Sequence, residues 1–191
     1  MGTPPPLGHV ALTFDDGPHP DSTPGLLAAL DAVGQQATFF VCGDRAAAYP
    51  GLLRAIRAAG MWIGNHSSTH ANLTGLTPEA VAEEITGTQH VVASLTGARP
   101  TLFRPPYGET SPRIRALAAA AGLTEVLWTV DTRDWAGADT DAVVRAAGTV
   151  APGGVVLMHD GGYRTTVDAV PRILRDLAAR GLRPGPVVTD R

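Results

Sequence analysis

Asp15 and Asp16 stand side by side where an apolar run ends, in the stretch Val10 to Pro18 that reads VALTFDDGP. Neighbouring side chains on an extended backbone point opposite ways, so the two carboxylates can serve two different partners. His66 and His70 are four residues apart, and in a helical turn both imidazoles would face one side. With Asp16 they make a set of two histidines and one carboxylate, which suits zinc or a similar divalent ion and leaves positions open for water. An HxxxH spacing alone is a weak pattern; the company of Asp16 strengthens it. An ion there would lower the pKa of a bound water, but the water must still lose its proton to a base, a role open to Asp15. Arg104 is the cation that could hold Asp15 ionised and in place. Hydrolysis also needs an acid for the leaving group. His159 is the candidate, with Asp131 or Asp134 as the carboxylate that orients it.

These residues need a frame that brings them together. Val10, Leu12 and Phe14 alternate with Ala11 and Thr13, too apolar on both faces for a solvent-facing strand, so a buried parallel strand is expected. Thr23-Pro24 opens a helix that stops at Gly34; a strand follows at Ala37 to Val41, then a helix through Leu52, Leu53 and Ile56 to Gly60, then the strand Met61 to Gly64. Thr77-Pro78-Glu79 caps a helix through Val81, Ile85, Val92 and Leu95, before a short strand at Thr101 to Phe103. Ser111-Pro112 starts the next helix, Glu125 to Val130 the next strand, and Val143, Val144 and Ala147 mark a further helix. Gly154 to Met158 is a fully apolar strand, Val170, Ile173, Leu174 and Leu177 line the last long helix, and Pro186 to Thr189 is the final strand. About seven alternations with short connections imply a parallel sheet with right-handed crossovers. Asp15/Asp16, His66/His70, Arg104, Asp131 and His159 all fall just past strand ends. In a closed barrel such ends share one mouth, whereas an open sheet would spread them along a line. The expected fold is therefore α/β, a single-domain (β/α) barrel.

The 191 residues, 44% hydrophobic and 17% charged, are enough for one sizeable core. A net charge of −3 leaves no basic stripe for phosphate backbones, and no run of 18 apolar residues could span a bilayer. Neither nucleic acid nor membrane is expected as a partner, and a monomer is expected. All 15 basic residues are arginine, as the codon bias of a GC-rich genome would produce. Without lysine the chain can form no Schiff base and build no Walker A loop. Cys42, the single cysteine, follows the apolar run Thr38 to Val41 and reads as buried packing. Met1 to Pro6 carries neither a basic nor an apolar signal region, so the protein is expected outside the cell if a signal was removed ahead of it, and in the cytoplasm otherwise.

Thr13 to Pro18, His66 to His70, Arg104-Pro-Pro-Tyr-Gly108, Asp131-Thr-Arg-Asp-Trp135 and Leu157-Met-His159-Asp160 together resemble the five ordered motifs of the polysaccharide deacetylases, carbohydrate esterase family 4. The resemblance spans about residues 9 to 189, and Phe103 to Thr110 and Gly122 to Trp135 lean toward the chitin deacetylase and acetylxylan esterase branch. It implies a distorted (β/α) barrel with fewer than eight strands, in agreement with the alternation above. It further implies Asp16, His66 and His70 as metal ligands, with zinc or else cobalt or another transition metal. Asp15 would be the base tethered by Arg104, and His159 the acid paired with Asp131. The backbone N–H of Tyr107 would stabilise an oxyanion, and Trp135 and Leu157 would wall a pocket for an acetyl methyl. The expected substrate is N-acetylglucosamine oligomers, then O-acetylated xylan, then a small acetylated metabolite.

Rival chemistries fit less well. A haloacid-dehalogenase-type phosphatase needs a second Asp where Gly17 stands, and a lysine. No GxSxG elbow supports a serine hydrolase. A metal-containing carbohydrate-binding module would have no use for a base and acid pair. His9, His19 and His90 are assigned to structure or solvent, with His19 near the mouth. Trp62 and Trp128 are expected in the core, and Glu109, Asp134 and Tyr163 near the mouth.

Overall fold

The computed structural model describes residues 8–188. The expected signal-free stretch Met1 to Pro6 lies outside these residues. Strands β1 (His9–Gly17), β2 (Thr38–Val41), β3 (Trp62–Asn65), β4 (Leu102–Phe103), β5 (Thr124–Glu125), β6 (Val130–Asp131), β7 (Val155–His159) and β8 (Arg183–Gly185) form one sheet. Its order is β5-β4-β3-β2-β1-β7-β6, with β8 off this path against β1, and every pairing is parallel. The seven strands in a row curl into a partial barrel. Helices α1 (Thr23–Asp31), α2 (Gly43–Ala48), α3 (Pro50–Ala58), α4 (Pro78–Thr96), α5 (Pro112–Ala120), α6 (Thr140–Ala147) and α7 (Arg164–Ala179) are the crossovers. The cap expected at Thr77 forms, its side chain accepting from the N–H of Ala80, and Ser111 caps the helix it starts, accepting from the N–H of Ile114.

Strand parity places the chemistry. Val10, Leu12 and Phe14 pack into the large cluster between sheet and helices, with Leu26, Val170 and Ile173. Ala11 faces the other way, into a small cluster with Phe40, Leu102 and Val126 inside the curl. Thr13 and Asp15 share the parity of Ala11, so the strand aims Asp15 at the interior of the barrel mouth.

Three expectations about elements are corrected. Glu125 to Val130 is not one strand: its ends pair with opposite edges of the sheet, β5 with β4 and β6 with β7. The chain between them closes the curl without a ladder, and the carbonyls of Val126 and Leu127 instead accept from the Arg104 guanidinium, each at 3.1 Å. The final strand is Arg183–Gly185 rather than Pro186 to Thr189, because the register with His9 to Ala11 consumes those earlier residues; Thr189 is outside the described residues. Trp62 is 43% exposed at the entry of β3, and Trp128, in the segment that closes the curl, is half-buried and lines the mouth.

Candidate active site

Arg104 is the largest fully buried side chain, and four hydrogen bonds hold its guanidinium. Besides the two carbonyls, Arg104 Nη1 donates to Thr13 Oγ1 and to Asp15 Oδ1, both at 2.7 Å. The Phe40 ring lies 4.2 Å beneath it. Gly64 makes room for that ring, since a Cβ there would sit 2.4 Å from it. A cation bound this way fixes the carboxylate of Asp15, which is 2% exposed.

Asp16 departs from the strand geometry that its position suggests. Extended backbone would turn it away from Asp15 toward the helix layer. Instead its φ is 71° and the register with β2 shifts between Asp15 and Gly17, a bulge that swings both carboxylates to the same mouth. Their Oδ1 atoms still meet different partners: Asp15 Oδ1 meets Arg104, whereas Asp16 Oδ1 lies 3.3 Å from His66 Nε2 and 3.2 Å from His70 Nε2; Asp15 Oδ2 also faces His66 Nε2, at 3.6 Å.

His66 and His70 do not lie on a helical turn. The loop after β3 carries left-handed residues at Ser67 (φ 65°) and His70 (φ 61°). Asn65 starts it as an Asx turn, its Oδ1 accepting the Ser67 N–H at 2.9 Å, and Ser67 Oγ accepts the His70 N–H at 3.1 Å. These local bonds compete with helix formation and curl the loop so that both Nε2 atoms converge on Asp16.

The three donor atoms lie within 4.8 Å of one another. The Arg104 carbonyl sits 2.7 Å from His66 Nδ1 and can only accept, so Nδ1 carries the proton, and in the neutral imidazole that binds a metal Nε2 presents a lone pair to Asp16. Two acceptors facing each other at 3.3 Å repel unless a cation lies between them, and Asp16 Oδ1 is buried without a hydrogen-bond partner. Burial disfavours the Asp16 carboxylate, yet without an ion the positive charge of protonated His66 and His70 outweighs it and holds its pKa down to about 2. Ligand bonds of about 2.0–2.2 Å at a tetrahedral zinc put neighbouring donors about 3.3 Å apart. The set therefore fits a divalent transition-metal ion, with the Nδ1–H of His66 oriented by a carbonyl as such ligands require.

His159 lines the same mouth, and the carboxylate that orients it is Asp134, not Asp131. Asp134 Oδ1 is 2.7 Å from His159 Nδ1, and Asp134 Oδ2 accepts the backbone N–H of His159 at 2.8 Å and the hydroxyl of Thr166 at 2.6 Å. Asp131 turns its Oδ1 to the N–H of Arg133 at 2.8 Å and lines the mouth. Burial works against a charged His159, but the hydrogen bond and charge of Asp134, followed by Asp15 and Asp16, push its pKa up to about 8.

Asp15, Asp16, His66, His70, Tyr107, Asp131, Trp135, Leu157 and His159 all line one cavity of about 360 Å³, together with Trp128 and Tyr163. Tyr107 (φ 62°) sets its ring 4.7 Å from that of His70, and Trp135 stands half out of the protein on the same rim. Glu109 does not line this cavity and instead accepts from Asn72 Nδ2 at 3.0 Å. Sequence reasoning missed Trp128 as a wall, and it missed Asp160, whose carboxylate accepts from Ser22 and Thr23 at 2.6 Å each and fills the space beside Gly17.

A chitooligosaccharide deacetylase of Bradyrhizobium sp. is 40% identical over 169 residues, 85% of this chain and 77% of the relative. A bifunctional xylanase/xylan deacetylase of Cellvibrio japonicus is 37% identical over 94% of this chain. The chain spans less than two thirds of the length of several curated relatives it matches, 27% in the Cellvibrio case. Among solved structures, a family 4 carbohydrate esterase from Streptomyces lividans in complex with acetate superposes with a TM-score of 0.90 at 48% identity, covering 93% of this chain and 92% of that one. Residues 2–126 match the family described as polysaccharide deacetylase. The chain belongs to the polysaccharide deacetylases, carbohydrate esterase family 4.

Proposed function

We propose that the chain is a metal-dependent deacetylase of N-acetylglucosamine oligomers, with O-acetylated xylan as its second substrate. The observation that carries the reaction is that Asp15, held by Arg104, and His159, held by Asp134, line one cavity together with the Asp16, His66 and His70 donors. Those three would hold the ion, which supplies acidity to a water and polarises a carbonyl. Asp15 takes the proton of the attacking water, and Arg104 keeps that carboxylate aimed and dry. His159 gives a proton to the departing amine or alkoxide, while Asp134 fixes its Nδ1–H and so leaves Nε2 for the transfer. The N–H of Tyr107 meets the developing oxyanion. Trp135 and Leu157 enclose the acetyl methyl.

An oligomer is favoured over a single sugar because the site does not end at its own cavity. A second, polar recess of about 340 Å³ shares Asp16, His70 and Tyr163 with it and runs on past Ser68, Thr69 and Arg45. A groove of this kind accepts a neighbouring sugar beside the reacting one. The acetate complex of the Streptomyces lividans esterase and the named activity of the Bradyrhizobium relative support acetyl release from carbohydrate. Acetate release should be measured on chitooligosaccharides, acetylxylan and free N-acetylglucosamine, with and without zinc. Longer chitooligosaccharides are expected to react fastest, and activity confined to the monosaccharide would defeat the groove.

A further inference from the structure

We propose that Glu84, on α4, is a positioning residue that sets the metal affinity of the site by holding the backbone between His66 and His70. The inference rests on the metal reading above and deepens it. The loop leaves the strand at His66 and re-enters regular structure only at the short 3-10 turn Leu73–Gly75, so its own N–H groups have no ladder to join. Two of them, on Ser68 and Thr69, donate to the same oxygen, Glu84 Oε2, each at 2.9 Å. The other oxygen, Oε1, accepts the Thr69 hydroxyl at 2.7 Å.

The surrounding turn of α4 reinforces this cradle. Ser68 Oγ donates to the Glu84 carbonyl at 3.0 Å, and Asn65 Nδ2 donates to the Ile85 carbonyl at 2.8 Å. Gly87 permits the approach, since a Cβ there would come 2.5 Å from Ser68 Oγ. Ser67 and His70, on either side of the clamped pair, both hold left-handed φ values. Two left-handed residues flanking unanchored N–H groups would relax, and His70 Nε2 would drift from Asp16. Glu84 makes no hydrogen bond or ion pair with Asp16, His66 or His70, so it acts through the loop and not on the ion.

Zinc affinity of metal-stripped protein, read by competition with a chromogenic chelator, tests this, alongside the melting temperature of the metal-free form. Glu84→Ala should bind zinc about 10–100-fold more weakly, as loss of support behind a ligand does, with turnover restored at saturating zinc. Glu84→Gln keeps an oxygen for both N–H groups and should stay within about threefold of the parent. Should Glu84→Ala not fold, Glu84→Asp, too short to reach both donors, carries the same expected loss. Parent-like zinc affinity in a folded Glu84→Ala would overturn the proposal. So would a Glu84→Gln as weak as the alanine variant, since charge and not the cradle would then be responsible. A parent that takes up no zinc would instead defeat the metal reading itself.

Discussion

Asp15 and His159 are register partners across the β1–β7 ladder, so two adjacent strands deliver both groups to the same height at the barrel mouth. Each is then held by a residue from elsewhere in the chain, Asp15 by Arg104 after β4 and His159 by Asp134 after β6. The ladder fixes the spacing of the pair, and the buried partners fix their orientation.

The two aspartates of the Asp131 to Asp134 turn should separate cleanly. Asp134→Asn removes the acceptor that aims Nδ1–H of His159 and should cost about 10²–10⁴ in turnover, the range of a lost proton-transfer group. Asp131→Asn should leave His159 in place and act on KM more than on kcat. Steady-state kinetics of both variants checks this, and equal kcat losses would return Asp131 to the role that its motif suggested.

How much of this was legible beforehand depended on what each residue reports locally. Parity along Val10 to Phe14 pointed Asp15 inward, and the fall of polar residues at strand ends implied one mouth; both are properties of strand geometry that a sequence carries. The choice between Asp131 and Asp134 was not legible, because it turns on which aspartate caps its own turn and which faces β7 across the chain. Glu84 was invisible for a like reason: it lies 14 residues beyond His70 and meets the loop only once α4 folds back. The bulge at Asp16 and the split of Glu125 to Val130 arise from competition between neighbouring strands, which no local pattern records.

Asp15→Asn should keep the metal yet lose most turnover, whereas Asp16→Asn should lose metal. In the latter an amide replaces the carboxylate oxygen shared by His66 and His70. Elemental analysis of the purified variants beside acetate release decides it. Equal metal content with equal residual activity would refute the division of labour.

Arg104→Met should be among the most damaging changes to stability. It strands the buried Asp15 carboxylate and frees the carbonyls of Val126 and Leu127, so the closing segment loses its anchor. Removing one partner of a buried pair costs about 3–5 kcal/mol. Asp15→Asn combined with Arg104→Met should recover part of that loss in chemical denaturation, because no bare charge remains.

The pH dependence follows from His159, whose pKa in the metal-free protein lies at about 8 against 6.5 for the free side chain. The group must be protonated to act as acid, so turnover should fall as pH rises through its pKa. A bound divalent cation repels the imidazolium and should move that limb lower. For stability the sign is the same: a raised folded-state pKa stabilises fully below 6.5 and the contribution disappears as pH rises through about 8. NMR titration of His159 with and without zinc, and in Asp134→Asn, measures each shift. An unchanged pKa in Asp134→Asn would contradict the hydrogen bond as its cause.

Acyl-group size should be set by Leu157. Its side chain lines the mouth while the backbone is fixed from both sides: β7 pairs with β1 and β6, and the Leu157 carbonyl accepts the Thr132 hydroxyl at 2.9 Å. Truncation should therefore enlarge the pocket without shifting His159, two residues on, which Asp134 holds independently. One methylene in an apolar pocket is worth about 1–3 kcal/mol, or roughly 10–200-fold in kcat/KM. The parent should accordingly prefer acetyl over propionyl by a factor in that range, and Leu157→Ala should narrow or invert the preference mainly by improving the propionyl substrate. Comparing kcat/KM for N-acetyl and N-propionyl chitooligosaccharides on both proteins tests the assignment. A Leu157→Ala protein that loses both activities equally, with zinc content intact, would show that the methyl is enclosed elsewhere, and the Trp128 side of the cavity would then be the wall to alter next.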